Sequence, residues 1–304
     1  MPEISVEMWC NICPRECNVD RDTGRGFCSM GENPVVAKAF LHMWEEPCIS
    51  GTKGSGAVFF SGCNLKCIFC QNHEISHGGY GKEITAEELA GIFLSLQNEG
   101  AHNINLVTPS HFVTAVRHAL TIAKDRLSSG QSRVPLQLPV IYNTNGYDKL
   151  ETLHSLDGFI DIYLPDLKYV DSEISADYSG VRDYFETASK AILEMYRQVG
   201  PALFDEDGMM KRGMIIRHLV LPGHTNDSLR VLEWIKENMA ENVYVSLMSQ
   251  YIPCHLACGH RTLGRSLTRY EHEKVIHRFE KLGLNGFVQE REAASAQYIP
   301  DFIE

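Results

Sequence analysis

Gly56-Ala-Val-Phe-Phe-Ser-Gly-Cys-Asn-Leu-Lys-Cys-Ile-Phe-Cys-Gln-Asn-His-Glu-Ile-Ser76 joins a short apolar run to a loop with three cysteines. Ala57–Ser61 reads as a buried strand, so the cysteines follow a strand's carboxyl end, where parallel α/β sheets collect their chemistry. Cys63, Cys67 and Cys70 are spaced C-x3-C-x2-C, close enough for three sulfurs to converge from one loop. Three thiolates hold three irons of a [4Fe–4S] cube and leave the fourth iron open. An open coordination position distinguishes a catalytic metal site from a structural one, and a structural zinc knot calls for four ligands. Phe69 is placed to shield such a cluster, because a hydrophobic shell tunes a metal site.

Beyond this loop the chain alternates. Thr85-Ala-Glu-Glu88 is a capping box ahead of Leu89, Ile92, Phe93 and Leu96 at helical spacing. Strands are predicted at Ile104–Thr108, Leu138–Asn143, Gly158–Leu164, Met214–Leu221, Val243–Ser249 and, last, Leu284–Gln289. Helices are predicted at Phe112–Leu127, Tyr147–Leu156, around Ala188, Ile192, Met195 and Val199, at Asp227–Met239 and at Leu267–Leu282. Strands alternating with helices predict a parallel α/β sheet. Each strand through Val243–Ser249 ends in a polar signature: the cysteine loop, then TPSH, NTNG, PDLK, PGHTND and QYIPCH. One composite site at the strand ends follows. Gly200–Gly213 reads as the least regular interior stretch.

Upstream, Cys10, Cys13, Cys17 and Cys28 lie in a turn-rich segment with little apolar periodicity. Their C-x2-C-x3-C-x10-C spacing suits either tetrahedral zinc or a second, fully ligated cluster. The predicted organisation is a cysteine-rich lobe and connector over residues 1–50 and a larger body over 51–304. Nine of the ten cysteines fall in local groups, which in a reducing compartment reads as metal ligation rather than disulfides. Cys48 stands alone and reads as structural; Cys254 and Cys258 form a C-x3-C pair. The net charge of −11 and the lack of a basic stripe argue against a nucleic-acid backbone partner. No apolar run is long enough to span a bilayer, and the first residues, MPEISVEMWC, lack the basic and apolar regions of a signal peptide, so a cytoplasmic location is expected.

The cysteine loop resembles that of radical S-adenosylmethionine (SAM) enzymes, and within them the uncharacterised iron–sulfur proteins related to the pyruvate formate-lyase activating enzyme. The resemblance extends through CNICPRECNVDR, EEPCISGTKGSG, NINLVTPSHF, NTNGY, PDLKY, RHLVLPGHTND, LMSQYIP and NGFVQE. It implies a partial (β/α)6 TIM-like barrel with a small N-terminal cysteine-rich lobe. It implies that SAM chelates the open iron of a [4Fe–4S] cluster and is cleaved reductively to a 5′-deoxyadenosyl radical, which takes a hydrogen from substrate.

The resemblance also carries site residues. Thr108 stands where relatives have a glycine-rich acidic motif toward the SAM amine, and this chain lacks that motif. Asn143-Thr144-Asn145-Gly146 resembles a DTNG segment whose Thr and neighbours approach SAM, with Asn143 in place of the acid, which puts a cation site there in doubt. Asp166 and Lys168 match a D-x-K motif, and residues i and i+2 of a strand end face one cavity; Lys168 is then a compact cation for the SAM carboxylate. Relatives place an arginine in this strand near SAM, so the resemblance favours Arg217 over His218 to face the interior, and the cost of burying an arginine without an anionic partner suits a ligand role if the strand is central. Tyr251 and His255 border the expected pocket. The implied partners are a low-potential electron donor, flavodoxin or ferredoxin, and a glycyl radical enzyme or a peptide as substrate. A small-molecule substrate and a non-catalytic metal scaffold are the alternatives.

Overall fold

The structure, a computed structural model, describes residues 9–125, 134–239, 243–289 and Phe302. Its strands are β1 (Val35–His42), β2 (Ser55–Phe60), β3 (Lys82–Glu83), β4 (Ile104–Val107), β5 (Val140–Thr144), β6 (Ile162–Pro165), β7 (Leu203–Phe204), β8 (Met210–Leu219), β9 (Tyr244–Met248) and β10 (Asn285–Val288). Its helices are α1 (Pro47–Ser50), α2 (His73–Ser76), α3 (Ala86–Asn98), α4 (Val113–Lys124), α5 (Leu150–His154), α6 (Ser172–Ser179), α7 (Tyr184–Val199), α8 (Thr225–Asn238) and α9 (Arg269–Lys281).

The sheet order is β10-β9-β8-β6-β5-β4-β2-β1-β3, with β7 beside β8. From β2 to β10 every neighbouring pair on that path is parallel. The expected partial barrel is thus met by an open, mostly parallel sheet, extended at one edge by the antiparallel β1 and β3. Short connections through helices enforce the parallel order, since parallel strands need crossovers. Thr85 accepts from the Glu88 amide and Glu88 reaches back to Thr85, so the predicted capping box starts α3 as read.

The segment expected as one lobe and connector divides. Residues 9–34 precede the sheet, while β1 pairs with β2 at six positions, with a register shift between Val36 and Lys38, and α1 is buried. Gly200–Gly213 is more regular than expected, because Leu203–Phe204 folds back on the start of β8 as a hairpin. The predicted end of the helix at Leu127 lies outside the described residues. Among the described residues no helix is long and apolar enough to cross a membrane.

The two sheet faces differ. Val58, Phe60, Leu106, Tyr142, Tyr163, Ile216 and Val245 pack with the long helices in the main core. On the opposite face Ile141, Ile162, Leu164 and Ile215 pack around Cys48 and Ile49 of α1, and Phe59 meets Phe302 with ring centroids 5.3 Å apart. Cys48 is therefore a core residue, as its isolation in the sequence suggested.

His111 ties the lobe to the body: its Nε2 meets the Ser61 carbonyl at 2.7 Å and its own carbonyl accepts from Arg21 at 2.5 Å. Burial holds the imidazole down at about 4, with the Arg21 charge adding to the effect and the Ser61 carbonyl opposing it. An unfolded histidine titrates near 6.5. Because the unfolded chain binds the proton first, stability is fully present above about 6.5 and is lost as pH falls toward 4, by about 1.4 kcal/mol per pH unit. Denaturant midpoints of wild type and His111→Gln between pH 7 and 4 check this: the variant should lack that share of the slope.

Candidate active site

The loop after β2 is fixed from three sides. Gly62 (φ +80°) has no room for a side chain: a Cβ there would lie 2.4 Å from Met30 Cγ and 2.7 Å from the Cys28 carbonyl. Asn64 is fully buried and donates to the Tyr147 carbonyl at 2.7 Å, and Arg15 from the lobe donates to the Asn64 carbonyl at 2.7 Å. The Ile68 amide donates to the Tyr178 carbonyl. Gly62→Ala is expected to destabilise by about 1–3 kcal/mol or more through overpacking against backbone, seen as a lower urea midpoint.

Each sulfur of the triad meets a polar partner. Cys63 Sγ accepts from the Leu65 amide at 3.4 Å and from Asn145 Nδ2 at 3.5 Å. Cys67 Sγ lies 2.9 Å from Ser179 Oγ, and Cys70 Sγ accepts from Ser76 Oγ at 3.3 Å. Burial pushes the Cys67 thiol up to about 12, with the charge of Lys168 opposing, and the Cys70 thiol up to about 11. The Cys67 and Cys70 thiols are therefore expensive to ionise alone and are stabilised as thiolates by a cationic centre. Phe69 is buried beside them, against Tyr178 and Tyr251 at 6.4 and 6.2 Å.

The other predicted residues lie at the ends of the neighbouring strands. Asp166 and Lys168 form an ion pair on the same side of the chain, as the D-x-K spacing predicts. The Lys168 charge acts on the Cys67 and Cys70 sulfurs, favouring their thiolates. Burial alone would lower its pKa, but the Asp166 carboxylate and the Cys67 sulfur together hold it raised, so it stays a cation. The Tyr184 hydroxyl donates to the Asn145 and Asp166 carbonyls at 2.9 Å each and accepts from the Lys168 amide, locking the ends of β5 and β6 together. Thr108 has φ +59°, a conformation that a β-branched residue avoids, and its amide donates to the Asn143 carbonyl at 2.8 Å. Strain of this kind collects at functional sites.

Thr144 and Arg217 are each engaged by other side chains. Thr144 does not turn toward the loop: its hydroxyl donates to Asp148 at 2.5 Å and accepts from the Gly146 amide at 3.2 Å. A strand alternates its side chains, so Thr144 lies on the helix side while its neighbours Asn143 and Asn145 lie on the other. Asn145 is the contact that the sequence reading missed. Arg217 does face the interior, as expected, but it has anionic partners. Its guanidinium reaches Glu46 through Nε at 2.9 Å and through a terminal nitrogen at 2.5 Å, and Glu45 at 2.5 Å. Burial raises the Glu46 carboxyl, but the charge and hydrogen bonds of Arg217 outweigh it and hold the group below the usual range. Asn105 donates to Glu45 at 2.8 Å, leaving its own Oδ1 buried without a hydrogen-bond partner. This polar floor lies on the sheet face where α1 packs apolar side chains.

His218 points the other way, with Nδ1 2.7 Å from the Leu167 carbonyl. The Tyr251 hydroxyl donates to the Leu263 carbonyl, a packing role. His255 stacks on His73 at 4.7 Å beside the loop, and Cys254 donates to the Phe69 carbonyl while Cys258 is exposed.

The radical SAM superfamily model matches residues 57–235, more than half of the chain, and the chain belongs to that superfamily. An uncharacterized protein of Methanocaldococcus jannaschii is 32% identical over 288 residues, 91% of this chain and 75% of its own length. Streptococcus suis SuiB bound to precursor peptide SuiA shares the fold at TM-score 0.51 and 16% identity, over 80% of this chain. A radical SAM methyltransferase from Sphaerobacter thermophilus does so at TM-score 0.51 and 14% identity, over 77% of this chain and 66% of its own. The chain spans half the length of SuiB. Members of the superfamily use a [4Fe–4S] cluster and SAM. The donor set fits such a group: three sulfurs on one loop, each in a hydrogen bond, and an ammonium whose charge acts on two of them.

Proposed function

We propose that the chain reductively cleaves SAM at a [4Fe–4S] cluster held by Cys63, Cys67 and Cys70, generating a 5′-deoxyadenosyl radical for hydrogen abstraction. The observation that carries this reading is the triad itself: three sulfurs on one loop, each in a hydrogen bond, with the charge of a part-buried ammonium acting on two of them. Lys168, oriented by Asp166, offers its charge to the SAM carboxylate. Thr108 and Asn143 flank it at neighbouring strand ends, and Asn145 orients Cys63. Thr144 braces the turn beneath, and Arg217 belongs to the polar floor with Glu45 and Glu46. The electron comes from a low-potential donor such as flavodoxin or ferredoxin, and the free state of all ten cysteines suits a reducing, cytoplasmic setting.

For the substrate, the resemblance to activating enzymes favours a glycyl radical enzyme, with a peptide or small molecule as the alternative. Reduced protein, SAM and a candidate partner separate them: a glycyl radical signal on the partner supports the first, and 5′-deoxyadenosine without that signal turns to the second. Lys168→Ala is expected to weaken SAM binding about 10–100-fold, the loss of one charge-assisted hydrogen bond. Calorimetric titration of the reconstituted protein checks it, and unchanged affinity would remove Lys168 from the SAM site.

A further inference from the structure

Glu45 and Glu46 bring negative charge to the sheet face away from the long helices. Asn105 fixes the face. It stands in register with Ala57 and Ile141, both packed on that side, and residues in register point the same way. Ser50 holds the turn that delivers the acids. The Glu45 amide donates to Ser50 Oγ at 3.0 Å, and that hydroxyl donates to the His42 carbonyl at 2.9 Å. The Glu45 and Glu46 side chains are only 10% and 6% exposed, so their charge is largely out of water.

The charges there do not balance. Among the described residues Arg217 is the only cation in an ion pair with either acid, so one guanidinium answers two carboxylates. Burial lowers the pKa of the nearby His42 against the pull of Glu45, so that ring adds no charge at pH 7. A buried negative charge without a positive partner is costly. A second, independent feature points the same way. Asn105 is wholly buried, its amide nitrogen donates to Glu45, and its Oδ1 has no hydrogen-bond partner. Nearly every buried polar atom finds one. What is left unanswered is thus a negative charge and an acceptor, which together call for a cationic donor. Phe40, His42 and Phe59 stand alongside, with the Phe59 centroid 5.7 and 6.1 Å from the other two, and aromatic faces attract such a group.

A metal ion is the poorer match, because the guanidinium already engages both oxygens of Glu46 and one of Glu45. An alkylammonium brings three N–H donors and needs only acceptors. Placement ties the site to the reaction: Arg217 pairs with Asp166 across neighbouring strands, so the polar floor adjoins the Asp166–Lys168 pair.

We propose that Glu45 and Asn105, with the Glu46–Arg217 pair holding Glu45 in place, bind a primary ammonium group of the substrate, carried by a lysine side chain of a polypeptide or by a free alkylamine. Calling the ligand a substrate rests on the proposed function; the ammonium site does not.

Calorimetric titration of the reconstituted protein tests it with two pairs of probes. One pair is the peptide Gly-Ala-Lys-Ala-Gly, capped at both ends, and its Nε-acetyl-lysine form; the other is n-pentylammonium and n-pentanol. At least one cationic probe is expected to bind about tenfold or more tightly than its neutral counterpart, the worth of a charge-assisted hydrogen bond. The pair that shows the preference distinguishes polypeptide from free amine. Glu45→Gln keeps the Glu46–Arg217 pair and is expected to abolish the preference. Binding of no probe, equal affinity for charged and neutral forms, or a preference that survives Glu45→Gln overturns the proposal. Should that variant fail to fold, the wild-type comparison of charged and neutral probes decides alone. Binding is read without SAM cleavage, so a clear preference in a protein that forms no 5′-deoxyadenosine would overturn the proposed function and leave the ammonium site standing.

Discussion

Cys63→Ala is expected to remove the cluster's iron and with it all SAM cleavage, while the fold persists. Losing one of three ligands leaves two sulfurs for a centre that needs three. The loss should therefore exceed the roughly 10–100-fold drop that follows removal of an outer-shell partner. Asn145→Ala supplies that comparison, since Asn145 donates to Cys63 Sγ and to Asn64 without itself being a ligand. The ranking expected is wild type, then Asn145→Ala within about two decades, then Cys63→Ala at background. Iron content and the visible absorption of the reconstituted proteins read it, with circular dichroism as the control for folding. Equal iron in Cys63→Ala, corrected for any upstream metal, would remove Cys63 from the ligand set.

Arg217→Met is expected to cost about 3–5 kcal/mol of folding stability at pH 7, the effect of stranding buried charge. Two carboxylates, Glu45 and Glu46, face this one guanidinium. Without it, burial and mutual repulsion raise their folded pKa above the unfolded value of about 4.3. A raised folded pKa gives stability that is present at low pH and lost as pH rises. The deficit of the variant should thus shrink as pH falls from 7 toward 5. In wild type Glu46 behaves oppositely: its lowered pKa contributes stability above the ordinary carboxylate range that is lost as pH falls through it. Urea denaturation at both pH values measures this. Adding Glu45→Gln and Glu46→Gln to Arg217→Met should recover much of the loss at pH 7. A variant as stable as wild type but unable to bind SAM would instead make Arg217 a ligand residue with little structural role.

The parts legible in the sequence were those written locally. The C-x3-C-x2-C loop, the Thr85–Glu88 capping box and the alternation of apolar strands with amphipathic helices each fit within a short window. The Asp166–Lys168 pair needed only the two-residue repeat of an extended chain. What stayed hidden depends on distance or on weak patterning. Glu46 and Arg217 are 171 residues apart and meet only because β1 and α1 fold across the sheet. Asn64 and Asn145 likewise meet across 81 residues. The helix α6, SEISADYS, is too polar to display a helical apolar repeat, although Asp171 caps it and Gly180 ends it at φ +67°. It carries Ser179 to Cys67. The Thr144–Asp148 hydrogen bond was not legible because a family motif names residues without saying where each side chain points.

The most direct test of the central claim is chromatography for 5′-deoxyadenosine after anaerobic reconstitution with iron and sulfide, reduction by dithionite and addition of SAM. The account predicts its formation by wild type and its absence from Cys63→Ala. No product from wild type, with a cluster that spectroscopy finds bound and reduced, would contradict it.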